Sequence, residues 1–203
     1  DRRDVGAAGL AVEFIDTYAA QAAEAGTGID ITLSALDLAE IAQLEEALDE
    51  LANVLAEADP SVIAAFAAAR QAALEFGANP DPSLAANLLD LGSLMEEFLV
   101  MGTPVRPEIE AVLTALQTAV IHEISGPATR RATGVSVYFP PSADYVEDEY
   151  ADLGEVPGWS GILEAFYFAG DNLDEASKAS FVEDDALEFS FDDEGLTVYG
   201  TVD

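Results

Sequence analysis

The chain has 203 residues and an extreme charge balance, with 40 Asp and Glu against 7 Lys and Arg and a formal net charge of −33. Nucleic acids and anionic membranes are bound through cationic surfaces, so this charge excludes both as partners. Cysteine is absent, which excludes a disulfide and a thiol nucleophile within the chain. Half of the residues are apolar, enough for one domain, or for one domain plus part of a second.

The density of carboxylates also predicts the environment. Their mutual repulsion is screened at high salt, where the Debye length falls to about 3 Å at 1 M. The high density of carboxylates, the alanine-rich segments and the presence of a single lysine, Lys178, predict a protein adapted to high salt. The alternative is an ordinary acidic protein. The chain opens at Asp1 without an initiator methionine or an apolar signal segment. We expect a soluble fragment from an extracellular or cell-surface, high-salt setting.

In the first third of the chain, the pattern of apolar residues predicts a helix, a strand and a second helix. Residues 5–25 have helical periodicity, and residues 29–36 alternate as a strand. Asp37 and Glu40 form a capping-box pattern, which predicts that the second helix begins at Asp37. The apolar stripe of the first helix is Leu10, Phe14, Ile15 and Tyr18. The predicted buried face of the second helix is Leu38, Ile41, Leu44, Leu48, Leu51 and Leu55.

The middle of the chain is predicted to be helical. Pro60 begins an alanine-rich helix that extends to about Phe76, and residues 79–82 break it. Residues 83–100 form a helical region interrupted at 90–92. Pro107 suits the first turn of a further helix, which we expect to end at Gly126-Pro127. The buried face of that helix is predicted to be Ile109, Val112, Leu113, Leu116 and Val120.

A strand over residues 135–139 follows, because Val135, Val137 and Phe139 alternate with polar residues. Next come a short acidic helix and then a helix with an aromatic stripe. Residues 171–185 are acidic with few apolar anchors, which is typical of a linker. Residues 187–191 and 196–200 predict a β-hairpin. The short helix carries Tyr145, Tyr150 and Leu153, and the aromatic stripe is Trp159, Ile162, Leu163, Phe166 and Tyr167.

Four short sequence segments (here called phrases), in the same order along the chain, resemble segments of clostripain-like cysteine peptidases. Residues 32–38, TLSALDL, resemble the strand-to-helix junction TLSAIDL of that family. The DLG at 90–92 resembles its DLGDF-type helix, and residues 134–140 resemble its GLSIYFP strand. In the fourth segment, the spacing of Tyr145, Tyr150, Leu153 and Trp159 is similar to the spacing in that family. The resemblance extends over roughly residues 5–168.

The resemblance implies an α/β fold. Residues 1–168 would form the C-terminal half of a caspase-like, mostly parallel sheet flanked by helices. Residues 169–203 would form an acidic linker and the start of an appended β domain with a short hairpin. The partner it implies is the missing N-terminal part of the peptidase domain, through which the chain would meet a protein or peptide substrate.

The family cleaves peptide bonds after Arg or Lys, with a Cys thiolate as nucleophile and a His as base. Both residues, and the acidic substrate pocket, precede the region that corresponds to Asp1. No catalytic residue is therefore assigned to this chain, its substrate-binding residues stay unknown, and we expect it to be inactive alone. The alternative is a non-catalytic structural or interaction domain that keeps the fold without the dyad. An independent metal- or serine-dependent hydrolase has no supporting constellation.

A few individual residues are candidates for catalysis, metal binding or ligand binding. His122 is the only histidine, and a place at a helix end is favoured over a proton shuttle or a lone metal ligand. Ser34 and Asp37 could form a Ser-His-Asp arrangement with His122, but no Gly-x-Ser-x-Gly elbow surrounds Ser34. Trp159 is interpreted as core rather than as a binding platform.

A calcium site is the only cofactor that we consider. Asp184-Asp185 and residues 192–195 offer the oxygen ligands that calcium prefers. Their spacing does not match an EF-hand loop, so solvated turns are favoured, and we predict no metal site.

Overall fold

The computed structural model describes residues 6–77, 79, 86–146, 157–172, 187–192 and 195–200. These residues form a mixed α/β structure, which confirms the predicted class. The six α-helices are α1 (Ala7–Ala25), α2 (Ile41–Ala56), α3 (Pro60–Ala72), α4 (Leu91–Val100), α5 (Arg106–Ala119) and α6 (Pro157–Asn172). The strands are β1 (Thr32–Leu36), β2 (Glu75–Phe76), β3 (Leu88–Asp90), β4 (Val120–Ser125), β5 (Ser136–Tyr138), β6 (Leu187–Asp192) and β7 (Gly195–Gly200).

The strands form small antiparallel sheets. β1 pairs with β4, and β2, β3 and β5 form a second sheet in that order. β6 and β7 form a hairpin, as predicted from the sequence. Among the described strands no parallel pair occurs, so the parallel sheet that the resemblance implies is not seen in this part of the chain.

Helices α2 to α6 enclose one apolar core. α2 packs against α5 and α6, and α3 packs against α4. The periodicity at three and four residues correctly predicted the buried faces of α2, α5 and α6. The buried members are Leu44, Leu48, Leu51, Leu55, Ile109, Val112, Leu116, Trp159, Ile162, Leu163 and Phe166.

The predicted start of α2 is wrong. Asp37 Oδ1 accepts a hydrogen bond from Ala39 N at 3.0 Å, and Glu40 N donates to Asp37 O at 3.1 Å. These bonds close a separate turn, so α2 begins only at Ile41 and has no side-chain cap. Leu38 lies in that turn and is 81% exposed rather than buried.

Three strands replace parts of predicted helices. Residues 120–125, expected to continue α5, form β4, because β-branched Val120, Ile121 and Ile124 suit a strand. Residues 75–76 form β2 rather than the end of α3, and residues 88–90 form β3. β2 and β3 have only two and three residues, and β4 directly continues α5, so apolar periodicity does not separate these segments from the neighbouring helices.

Phe139, the last apolar residue of the predicted strand, lies at the centre of the core and is fully buried. Its ring centroid is 5.0 Å from Phe166, 5.4 Å from Phe66 and 5.6 Å from Trp159. Its carbonyl accepts hydrogen bonds from Arg70 Nε at 2.9 Å and Nη2 at 2.6 Å. Burial lowers the pKa of Arg70 from its usual value. β5 is thereby fixed to α3 and α6.

Helix α1 lies on one face of the β1–β4 sheet and contacts both strands. Ile15 and Ala22 are its buried residues. The helix itself was predicted, but three members of the apolar stripe lie in solvent. Leu10, Phe14 and Tyr18 are 62%, 65% and 40% exposed.

Some sequence predictions lie outside the described residues. These are most of the break at 79–82, the acidic helix around Tyr150 and Leu153, most of the linker at 171–185, and Asp184-Asp185. Tyr145 ends a short 3₁₀ helix, Ala143–Tyr145. The boundary predicted after residue 168 falls inside α6, and the division into two units stays a prediction. No helix within the described residues is long and apolar enough to cross a membrane.

We predict that Phe139→Ala lowers the free energy of unfolding by about 3–5 kcal/mol, because it removes the aromatic centre and leaves a cavity. Urea unfolding followed by circular dichroism measures the loss. Phe168→Ala, at a side chain that is 69% exposed, is the matched control and should cost less than about 1 kcal/mol. Equal losses in the two variants would contradict the central place of Phe139.

Candidate functional site

The carboxylate of Asp90 is the most heavily hydrogen-bonded acidic group described. Asp90 ends β3, precedes α4 and is 1% exposed. Its Oδ1 accepts from Ser93 N at 2.8 Å and from Thr133 Oγ1 at 2.7 Å. Its Oδ2 accepts from Thr133 N at 2.7 Å. One carboxylate therefore caps α4 and fixes the segment that leads into β5.

The contacts of Asp90 continue through two glycines. Gly92 N donates to Thr133 Oγ1 at 3.1 Å, and a β-carbon at Gly92 would collide with the Thr133 side chain. Gly134 has φ +103°, which a side chain would strain. Its carbonyl accepts from Ser34 Oγ at 2.6 Å. We call this set the Asp90 cluster: Ser34, Asp90, Gly92, Ser93, Thr133 and Gly134.

A cleft of about 250 Å³ lies beside the Asp90 cluster, between the β1–β4 sheet and the β2–β3–β5 sheet. We call it the inter-sheet cleft. Its polar lining includes Ser34, Asp90, Glu123 and Ser136, and its apolar lining includes Leu33, Phe76 and Val135. Polar groups converge there on a partly apolar wall, as is typical of ligand sites.

Glu123 is the titratable group of the cleft whose ionisation is most disturbed. It lies opposite Ser34 in the β1–β4 ladder, and its Oε2 is buried without a hydrogen-bond partner among the described residues. Burial raises the pKa of Glu123, and the negative charge of Asp90 raises it further, while His122 acts in the opposite direction. The cleft thus combines a carboxyl group whose pKa is raised with a carboxylate that accepts three hydrogen bonds.

The sequence did not single out Glu123. The available signal was the β-branched content of its segment at Val120, Ile121 and Ile124, which favours a strand. The apolar periodicity of α5 continues to Val120 and predicts a helix there instead. The same error placed His122 at a helix end, whereas it lies inside β4.

The structure does not bring Ser34, Asp37 and His122 together. His122 Nε2 lies 2.9 Å from Asp16 Oδ1 of α1. His122 pairs with Ala35 and Ser34 pairs with Glu123, so the side chains of His122 and Ser34 lie on opposite faces of the sheet. The Ser34 hydroxyl donates to a carbonyl and the Asp37 carboxylate accepts from its own turn. Neither His122 nor Asp37 is therefore placed to act as a base for Ser34.

Trp159 is a core residue, as interpreted from the sequence. It is 3% exposed, and its Nε1 donates to Tyr138 O at 2.9 Å. Its ring meets Phe139 edge to face. This contact joins α6 to β5.

The described residues contain no group of three or more His, Cys, Asp or Glu that could hold a metal ion. Of the residues considered for calcium, Asp184, Asp185, Asp193 and Glu194 lie outside the described ranges. Chemically, the inter-sheet cleft offers carboxyl and hydroxyl oxygens, which accept hydrogen bonds from a bound donor group.

Comparisons of the chain with protein-family models, with curated proteins and with solved structures gave no match. The resemblance to clostripain-like peptidases is carried by the four sequence phrases.

We predict that Asp90→Asn lowers the free energy of unfolding by about 2–3 kcal/mol, because an amide NH₂ must face one of the buried N–H donors. Denaturant unfolding at neutral pH measures it. Asp49→Asn, at an exposed position of α2, is the matched control and should change stability by less than about 0.5 kcal/mol. A loss in Asp90→Asn no larger than in the control would show that the cluster is not structural.

A second prediction concerns pH. Because the pKa of Glu123 is raised on folding, protonation stabilises the fold fully below the ordinary glutamate pKa, and this contribution is lost as pH rises through the raised pKa. Glu123→Gln should therefore be more stable than wild type at pH 7, with the difference shrinking towards about pH 4. Urea midpoints at the two pH values measure this. Glu46→Gln, at an exposed site, controls for the loss of one charge; equal shifts in both variants would contradict the prediction.

Proposed function

We propose that the chain is the C-terminal part of a clostripain-like cysteine endopeptidase domain, without catalytic activity of its own. One observation carries the proposal: the three phrases at residues 32–38, 90–92 and 134–140 meet in the Asp90 cluster. Ser34 and Gly134 are 100 residues apart in sequence and share a hydrogen bond. If these segments resembled the family only by chance, they would not be expected to meet at one polar site.

The β1–β4 sheet supports the proposal in a second way. Each of its strands pairs on one side only among the described strands. The outer edge of β4 includes Glu123, which borders the inter-sheet cleft. Strands of an upstream part, added at that edge, would extend the pair into the larger caspase-like sheet. The chain would then form one wall of the substrate cleft.

In such an enzyme the reaction occurs on upstream residues. The thiolate attacks the carbonyl carbon of an Arg or Lys residue, and the imidazolium protonates the leaving amine. This chain has no cysteine, so none of its own atoms can act as that nucleophile. Its contribution is to hold the sheet and the wall in place. We further propose an extracellular or cell-surface, high-salt setting, which the net charge of −33 supports.

The second candidate is a non-catalytic structural or interaction domain that keeps this fold. The bonding of Asp90 favours it, since the carboxylate accepts three hydrogen bonds from Ser93 and Thr133 and so has a structural role within the chain. The two candidates differ in what precedes Asp1 in the coding sequence, which decides between them.

We predict that the 203-residue chain alone does not cleave Arg- or Lys-ended chromogenic peptides in about 1 M KCl, where repulsion between its carboxylates is screened. The protein expressed from its natural start codon should cleave them, and a thiol-alkylating reagent should abolish the activity. Variants at the upstream Cys and His are the controls. An upstream sequence without a Cys and a His, each after an apolar strand, would overturn the peptidase in favour of the structural domain.

A further inference from the structure

One flank of α1 is exposed and uncharged. With 3.6 residues per turn, the side chains within about 40° of Phe14 around the helix axis lie on one flank. We call them the α1 flank: Ala7, Leu10, Phe14, Tyr18, Gln21 and Ala25, all of which are exposed. In a chain with 40 Asp and Glu among 203 residues, none of these six is charged. The acids of α1, Glu13, Asp16 and Glu24, lie outside it.

The α1 flank leans towards β1. Asp16 reaches His122 of β4, so the side of α1 that bears Asp16 faces β4. Phe14 is two residues away, about 200° around the axis, and faces away from β4. The buried Ile15 lies between Phe14 and Asp16 around the axis and faces the sheet, so Asp16 is on the β4 side of α1 and Phe14 is on the β1 side.

β1 has an open and uncharged edge beneath that flank. Gly126 N donates to Ile31 O, and the ladder pairs Thr32 with Ser125 and Ser34 with Glu123. Hydrogen-bonded and non-hydrogen-bonded pairs alternate, so the N–H and C=O groups of Thr32 and Ser34 point away from β4. Among the described strands none pairs with that edge. It also lacks the charges and prolines that usually protect an edge strand.

We propose that this surface, the α1 flank together with the β1 edge, binds a second copy of the chain about a two-fold axis. β1 would pair antiparallel with β1 of the second copy, centred on Ser34, so that Thr32 pairs with Leu36 of the other chain. The result is a continuous four-stranded sheet with one α1 helix of each copy on the same face. This inference is independent of the peptidase proposal, which uses the outer edge of β4.

The spacing of strands and helices fits this arrangement. Neighbouring strands lie about 4.8 Å apart, so two β1–β4 pairs joined through β1 have centres roughly 10 Å apart. Helices pack at about 8–10 Å, so two α1 helices, each above its own strand pair, meet at packing distance. The α1 flanks then face each other and bury Leu10, Phe14 and Tyr18.

The absence of charge on this surface also favours a second copy of the chain as the partner. A cationic partner would find no carboxylate on the α1 flank or within β1. A second copy presents the same neutral surface, so no carboxylate lies between the two β1 strands or the two α1 flanks. The exposed Asp30 and Asp37 lie at the two ends of the paired segment, in solvent. The remaining repulsion between two chains of net charge −33 is long-range and is screened by salt.

The test is the molar mass of the 203-residue chain by light scattering in about 1 M KCl, where the Debye length is about 3 Å. We expect wild type to approach twice 21.3 kDa as its concentration rises. Phe14→Glu should raise the dimer dissociation constant at least about tenfold. Ala20→Glu adds the same charge at an exposed position outside the α1 flank and should leave the constant within about twofold.

Hydrogen exchange locates the contact independently of any variant. The amides of Thr32, Ser34 and Leu36 should become protected as protein concentration rises, while the outward amide of Ser125 on β4 should not. A monomer at all concentrations would overturn the proposal, and so would equal dimerisation of the Phe14→Glu and Ala20→Glu variants. A monomeric natural protein whose upstream residues protect the β1 amides would overturn it too, and would leave the peptidase proposal intact.

Discussion

The buried carboxylate of Asp90 is the interaction on which the arrangement of the two sheets depends. Its three acceptor contacts join the start of α4 to Thr133, and Thr133 leads into β5. A buried charge is tolerated only when donors surround it, and here backbone and hydroxyl donors do so. Through Gly134 the same cluster reaches Ser34 of β1. The two sheets are therefore held at a fixed separation, and the inter-sheet cleft lies between them.

Charge is distributed unevenly over the surface that surrounds this core. A net charge of −33 gives the chain a strong repulsive field, yet the α1 flank and β1 contain no acid. Leu10, Phe14 and Tyr18 form a contiguous exposed apolar patch on that flank, and contiguous patches are typical of interaction surfaces. The two outer edges of the β1–β4 sheet differ accordingly: the edge of β4 has Glu123 beside the cleft, and the edge of β1 is neutral. This difference suits an intramolecular role for one edge and self-association for the other.

The apolar periodicity predicted most of the fold. It gave the helices α1, α2, α5 and α6, the strand that leads to Phe139 and the β6–β7 hairpin. It failed at β2 and β3, which are very short, and at β4, which directly continues α5. In such segments the local preference for helix or strand is nearly balanced, and pairing with a distant strand decides. The sequence predicts only part of the candidate site. Asp90 and Gly134 lie in segments that resemble a known family, whereas Glu123 lies in a segment that the apolar periodicity assigns to a helix.

By itself, the sequence determined the properties that depend on composition and local pattern. These are the acidic composition, the absence of a thiol, the helical stripes and the strand predicted at residues 135–139, of which Ser136–Tyr138 form β5. Tertiary structure alone decided which of those features meet. Contacts such as Ser34 with Gly134, or Asp16 with His122, join residues 100 and 106 positions apart. Tertiary structure also left Phe14 in solvent, because the exposure of an apolar stripe depends on what packs against it and not on the stripe itself.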